Sequence, residues 1–333
     1  MKFKKITTII GAILFTAPMI VSLSSCESIY DELDPCPVNL RFVYEYNMEY
    51  ANAFPSKVDC LTLLVYDEKG NFITKRTETS DVLKDENYRM VVDDLEKGNY
   101  HLIAYGGMAC GKQSFTMSPE PAANTQMQNL QVSLPVSESR TSDKQLHNLY
   151  FGESELVVTG EDRTEKVVKM IKDTNNIRIV LQQLSAQNVS DSDFSVRITD
   201  DNTLMDYKNA VVPNGEVTYF PWIHGEQTVN GTINAQDKVK VAFSELSVAR
   251  LMESSKARLI ITLNENGKEI VNIPLIDYLM LLKGSLYAEM GAQEFLDRQS
   301  EWALVFFLDS KNEWVTTQII INDWIIRLND VEI

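Results

Sequence analysis

The chain has 333 residues, a formal net charge of −16 and 44% hydrophobic residues. That apolar content suffices for packed cores, and the length favours two domains over one. The acidic balance argues against nucleic acid as a partner and against docking on anionic lipid by charge.

Residues 1–25 read as an export signal. Lys2, Lys4 and Lys5 give a basic start, Ile9 to Val21 an apolar stretch, and Ser22-Leu23-Ser24-Ser25 a small-residue close before Cys26. That order is the layout of a secretory signal. The apolar stretch is short and interrupted by Pro18, which disfavours a permanent membrane span. A cysteine directly after such residues fits the bacterial lipobox, in which the sulfur is acylated and the new N-terminus becomes a lipid anchor. The competing reading is an ordinary cleaved signal followed by a chance cysteine. Residues 26–38 are then the lipidated N-terminus and a tether. Glu27 to Pro37 is acidic, holds two prolines and contains no Lys or Arg.

The other cysteines are Cys36, Cys60 and Cys110. Three cannot all pair internally, and no CxxC spacing occurs, so neither zinc nor redox chemistry is announced. Cys60 adjoins an apolar run and reads as a buried thiol.

From Asn39 onward short β-prone runs alternate with turn residues. Arg41 to Tyr46 is one. Leu61 to Tyr66 is another, and Asp67-Glu68-Lys69-Gly70-Asn71 predicts a hairpin into Phe72 and Ile73. Tyr88 to Val92, Tyr100 to Tyr105 and Leu130 to Leu134 follow. Residues 107–127 and 135–147 are polar and read as long loops. A second series begins near Val167 and includes Ile177 to Leu181, Phe194 to Ile198, Val217 to Phe220, Val239 to Phe243 and Leu259 to Leu263. Asn214-Gly215, Asn230-Gly231 and Asn266-Gly267 punctuate it, each a candidate type I′ turn. Ala292 to Arg298 predicts one short helix, and Ile273 to Leu282 is ambiguous between strand and helix. Two series of short strands imply an all-β fold of two β-sandwich domains in series, 39–160 and 161–333. The boundary falls near Thr159-Gly160-Glu161-Asp162.

Catalytic patterns are missing. The three histidines, His101, His147 and His224, form no HExxH, HxH or Glu-x-x-His spacing. No GxSxG elbow, GxxxxGK[ST] loop or GxGxxG fingerprint occurs. The expectation is therefore no enzyme, no metal and no cofactor. Asp191-Ser192-Asp193 and Asp200-Asp201-Asn202 lack EF-hand spacing and read as solvated loops. Trp222, Trp302, Trp314 and Trp324 all lie in the second half. An exposed row of them would serve a glycan-binding lipoprotein, whereas core packing is the plainer role, above all for Trp302 and Trp324.

Ordered segments carry a family resemblance. After the lipobox come Asp34-Pro35-Cys36-Pro37, Arg41 to Met48, Ala53-Phe54-Pro55, Val58-Asp59 and Leu63 to Asp67. Gly98-Asn99-Tyr100 and Tyr105-Gly106-Gly107 follow, then Ile276 to Leu279, Glu294 to Arg298 and Phe306 to Asp309. Over nearly its whole length the chain resembles the FimB-type fimbrial anchor family of type V pili. The resemblance implies two transthyretin-like β-sandwiches without a catalytic site. It also implies an outer-membrane lipoprotein, held by lipid on Cys26, that binds a shaft pilin subunit by strand exchange and ends fimbrial assembly. Shaft subunits lose their first strand to a protease; an anchor held by lipid at its N-terminus must keep it. The absence of Arg or Lys between Cys26 and Arg41 agrees.

The C-terminal run supplies a candidate interface. Trp324, Ile326 and Leu328 fall on one strand face and Ile325, Arg327 and Asn329 on the other, with Val331 and Ile333 beyond. The run suits donation to a partner, and it also suits the last strand of the chain's own second sandwich.

Overall fold

The computed structural model describes residues 37–159, 164–185, 187–230, 238–283, 287–321 and 324–328. Cys26, the tether through Cys36, Asn329, Val331 and Ile333 lie outside the described residues. The fold is all-β, as the strand pattern implies, with three short α-helices at Phe54–Lys57, Leu275–Met280 and Ala292–Arg298.

A seven-stranded sheet runs from edge to edge through Phe72–Glu78, Leu61–Asp67, Gly98–Gly106, Tyr150–Val158, Thr164–Lys172, Val38–Val43 and Met90–Val92. The Leu61–Asp67 strand is buried on both faces, which is why it reads as a continuous apolar run. Alternate side chains point to opposite faces. Leu61, Leu63 and Val65 accordingly enter one hydrophobic cluster with Val38, Leu40 and Phe42, while Leu64 and Tyr66 enter a second. The edge strand Phe72–Glu78 alternates between half-buried and exposed positions. The predicted hairpin between these strands forms. The Asp67 carboxylate accepts from the backbone N–H of Lys69 and Asn71, each at 2.8 Å, and Gly70 takes φ +80.

A six-stranded sheet follows the order Ile223–Asn230, Lys238–Ala249, Thr174–Gln183, Glu301–Leu308, Trp314–Ile321, Trp324–Leu328. A five-stranded sheet follows the order Glu269–Pro274, Arg258–Leu263, Phe194–Asp200, Val217–Tyr219, Thr141–Ser142. Ile177, Ile179 and Leu304 from the first, and Val196, Ile198 and Ile261 from the second, join one buried cluster. The ambiguous stretch after Ile273 divides: the strand ends at Pro274 and a helix occupies Leu275–Met280. The Asn266-Gly267 hairpin forms with a longer loop than a two-residue turn, since Leu263 and Lys268 close it by a backbone bond of 2.9 Å. The Asn230-Gly231 turn extends outside the described residues.

Three expectations need correction. The strand Thr164–Lys172 belongs to the first sheet, pairing parallel with Val38–Val43 and antiparallel with Tyr150–Val158. Thr159 to Asp162 therefore falls in the connection between two strands of one sheet, and the chain changes sheet at Asp173. In the other direction, Thr141–Ser142 pairs with Val217–Tyr219, and Gln131–Ser133 pairs with Leu204–Asp206. The division at 160/161 thus does not coincide with the change of sheets; strands of two or three residues carry too little apolar pattern to announce their partners. Finally, Cys60 is no free thiol. It forms a disulfide with Cys110, Cα–Cα 5.4 Å, across a sequence separation of 50. Closing a loop of that length contributes about 4 kcal/mol in the chain-entropy view.

At the change of sheet sits a buried ionic group. Asp173 is fully buried, Arg250 is 8% exposed and Asp297 is 7% exposed. Arg250 donates to both Asp297 oxygens at 3.0 and 2.8 Å and lies 3.7 Å from Asp173. The Asn209 amide donates to Asp173 Oδ1 at 2.7 Å, while Oδ2 has no partner. Burial pushes the Asp173 carboxyl from 3.8 up to about 7, against the opposing pull of Arg250 and Asn209. The folded chain therefore holds this proton to higher pH than the unfolded chain does. By linkage, stability falls as pH rises from about 4 through 7. Asp173→Asn removes that slope. Thermal melts of both chains across this range should diverge as pH rises, with the wild type losing ground; parallel curves would show that Asp173 does not titrate there.

Candidate functional site

The closing strand Trp324–Leu328 lies at one edge of the six-stranded sheet. It pairs antiparallel with Trp314–Ile321, in the register Thr317↔Leu328, Gln318↔Arg327, Ile319↔Ile326, Ile320↔Ile325 and Ile321↔Trp324. The next pairing aligns Leu304 with Ile319 and Phe306 with Thr317. By register, Ile326 and Leu328 stand in the columns of Leu304 and Phe306, both fully buried. Ile325 stands in the column of half-buried Ala303. The alternation read from the sequence is thus the alternation of the sheet. The far side of the closing strand has no neighbouring strand among the described residues.

The opposite edge of the same sheet is built differently. Ile223–Asn230 is mostly exposed and polar. Glu226 pairs with Lys240 at 3.2 Å, Gln227 accepts from Arg178 at 2.6 Å, and His224 meets Asp191 at 2.6 Å. Charged and polar edges resist pairing with further strands, whereas an apolar edge with little charge invites it. Sequence reading missed this polar strand because its pattern, His224 to Asn230, has no apolar period. Of the sheet's two edges, the one carrying Trp-Ile-Ile-Arg-Leu is the one suited to recruiting another strand.

At the other end of the chain, the first strand is interior. Val38–Val43 pairs with a strand on each side, and Val38, Leu40 and Phe42 are at most 3% exposed. Arg41 lies within this strand opposite Val167, and its Nε is buried without a partner. The segment leaving the strand is clasped by the Ala292–Arg298 helix. The Arg298 guanidinium lies 3.9 Å from the Tyr46 ring centre and 4.6 Å from that of Tyr50, and donates to the Asn47 carbonyl at 3.3 Å.

Trp302 and Trp314 serve packing. Trp302 is buried, meets Phe295 edge to face and donates to Asn175 at 3.1 Å. Trp314 packs on Tyr278 and Phe306 and donates to Thr317. Trp222 is half-buried. Of the three tryptophans whose side chains are described, Trp222, Trp302 and Trp314, none is exposed. The acidic clusters do not behave alike: Asp193 is exposed, but Asp200 is buried and hydrogen-bonded to Ser255, so the solvated-loop reading fails there. No helix among the described residues is long and apolar enough to cross a membrane.

The described residues form a multi-sheet β body with an interior first strand and a closing edge strand rich in apolar residues. Comparison with known families places it further. The profile of the Fimbrillin-A associated anchor proteins Mfa1 and Mfa2 matches residues 33–330, and the chain belongs to that family. A crystal structure from Bacteroides thetaiotaomicron, described as a candidate adhesin, is 51% identical with TM-score 0.82, covering 90% of this chain and all of that one. Another from the same organism, described as a candidate polysaccharide-binding protein, is 26% identical with TM-score 0.76, covering 89% of this chain and 99% of that one. The fimbrial anchor protein Mfa2 from Porphyromonas gingivalis shares the fold at 13% identity, TM-score 0.65, covering 88% of this chain and 99% of that one. A search of curated protein sequences finds no match.

Proposed function

We propose that the chain is an outer-membrane lipoprotein, acylated on Cys26, that anchors a fimbria and terminates its assembly by binding the shaft pilin. Family membership supports the fimbrial setting. The observation that carries the finer reading is the interior position of Val38–Val43. A strand hydrogen-bonded on both sides and buried on its apolar face cannot leave without opening a groove of unpaired backbone and exposed core. Lipid on Cys26 keeps the chain anchored only while that strand stays connected to it. The first basic residue after Cys26 is Arg41, and it sits inside this protected strand. An arginine-directed protease would have to cut within the sheet.

The partner contact assigned to this reading is the closing edge, with Trp324, Ile326, Leu328, Val331 and Ile333 as the candidate residues. Strand addition there combines backbone pairing with apolar side chains entering a groove. The glycan-binding alternative rests on exposed aromatic rings, and Trp222, Trp302 and Trp314 do not supply them.

Cys26→Ala tests the anchor. Acylation should be abolished and the protein released from membranes. Metabolic labelling with a fatty acid, followed by fractionation, reads both; undiminished label in the variant would remove the lipoprotein assignment. The pilin copurifying with the wild type from outer-membrane extracts identifies the partner.

A further inference from the structure

Four metal-binding side chains converge beside the first sheet, and the established family role uses none of them. Asp59 and Cys60 immediately precede the Leu61–Asp67 strand, Cys110 follows the Gly98–Gly106 strand, and His147 precedes the Tyr150–Val158 strand. One donor atom from each lies within 4.8 Å of every other. His147 Nε2 is 3.1 Å from Asp59 Oδ1 and 3.2 Å from Cys110 Sγ. We infer that reduction of the Cys60–Cys110 disulfide creates a tetrahedral site for a zinc-type divalent cation, ligated by Asp59, Cys60, Cys110 and His147.

The distances suit that ligand set. Zinc–sulfur bonds of about 2.3 Å and zinc–nitrogen or zinc–oxygen bonds of about 2.0–2.2 Å place neighbouring tetrahedral donors roughly 3.4–3.8 Å apart. The histidine, carboxylate and Cys110 are already close to that spacing. The sulfurs separate once their bond is broken.

Surrounding groups hold the donors in place. The Gly107 N–H donates to the Cys60 carbonyl at 3.0 Å, locking the Cys110 loop to the strand start. A Cβ at Gly107 would lie 1.9 Å from the Asn148 carbonyl oxygen, and its φ is +91, so only glycine allows this approach. The His147 N–H donates to Ser114 Oγ at 2.7 Å. The Ala109 N–H lies 3.3 Å from Cys60 Sγ and offers a hydrogen bond to a thiolate there. Lys112 pairs with the second oxygen of Asp59 at 2.9 Å, leaving Oδ1 toward the site and offsetting part of the ligands' negative charge.

Cys60 is fully buried and Cys110 is half-exposed, so thiol–disulfide exchange begins at Cys110. An external dithiol supplies the two electrons and two protons. The protein S–S bond breaks, two thiols form, and the dithiol becomes a disulfide. Cation binding then releases both thiol protons. The disulfide and the metal are thus alternative cross-links between the same two segments.

The test uses the full chain carrying Cys26→Ser and Cys36→Ser, so that Cys60 and Cys110 are its only thiols. After dithiol reduction, cobalt(II) should bind with thiolate charge-transfer and tetrahedral absorption bands, one ion per chain by native mass spectrometry, and zinc should displace it. The oxidised chain should show none of these bands. Loss of a partner merely supporting a ligand weakens metal binding roughly 10–100-fold. His147→Ala and Asp59→Asn should each weaken it at least that much. A reduced chain that keeps its β circular-dichroism spectrum but shows no bands overturns the site. So does a reduced chain that loses that spectrum and does not regain it with zinc. Either variant binding as tightly as the parent overturns the four-ligand assignment.

Discussion

Arg250→Ala should be among the most damaging single substitutions in this protein. Arg250 is the only cation ion-paired to both Asp173 and Asp297 among the described residues, and all three are at most 8% exposed. It also donates to the Asn209 carbonyl. Removing it leaves the Asp297 carboxylate buried beside the Asp173 carboxyl with no positive charge between them. Breaking such a buried pair costs about 3–5 kcal/mol, a large share of the roughly 5–15 kcal/mol that holds an ordinary domain folded. The urea midpoint should fall accordingly with little change in slope. The triple variant Arg250→Met, Asp173→Asn, Asp297→Asn should recover much of the loss, because the uncompensated charge is the cause. A single variant that melts like the wild type would show that these charges do not hold the two sheets at Asp173.

What was legible in the sequence follows physical range. The Leu61–Asp67 and Phe72–Glu78 hairpin could be read because apolar run, Asp-led turn and alternating edge lie within eighteen residues. The Ala292–Arg298 helix was equally local, and the Trp324–Leu328 faces follow from strand period alone. The pairing of Thr164–Lys172 was not legible. Its apolar pattern marks a strand, but the parallel partner Val38–Val43 lies more than a hundred residues away and leaves no local trace. The same holds for the Cys60–Cys110 disulfide and for His147 beside it: residues separated by dozens of positions meet only because strands Leu61–Asp67, Gly98–Gly106 and Tyr150–Val158 are neighbours in one sheet. The absence of CxxC and HxH motifs argued against a metal because it tested spacing along the chain, and this cluster is spaced across it. Asp200 misled in another way, since an acidic loop pattern does not reveal that Ser255 folds over one of its members.

Replacing Ile326 and Leu328 by Asp should distinguish the two uses of the closing strand. In the sheet their register positions align with Leu304 and Phe306, which are fully buried. Where the burial of those columns extends to the closing strand, a carboxylate loses water without gaining a partner, at a cost of roughly several kcal/mol. Because Trp324–Leu328 is hydrogen-bonded to Trp314–Ile321 of its own chain, the isolated double variant should melt below the wild type. Arg327→Ala stands in the other column and should leave the melting temperature nearly unchanged. Pilin capture then reports on the side of the strand that has no neighbouring strand among the described residues. If that edge docks the shaft subunit, the double variant should no longer copurify with pilin, even at temperatures where it is folded. Normal pilin capture by a folded but destabilised variant would confine the strand to its own sheet. A variant that stays as stable as the wild type yet loses pilin would mean that the strand is donated outward. Normal melting together with normal capture would remove both roles. The asymmetry of the sheet favours docking: the Ile223–Asn230 edge is blocked by polar and charged pairs, and the closing edge carries a single charge across five residues.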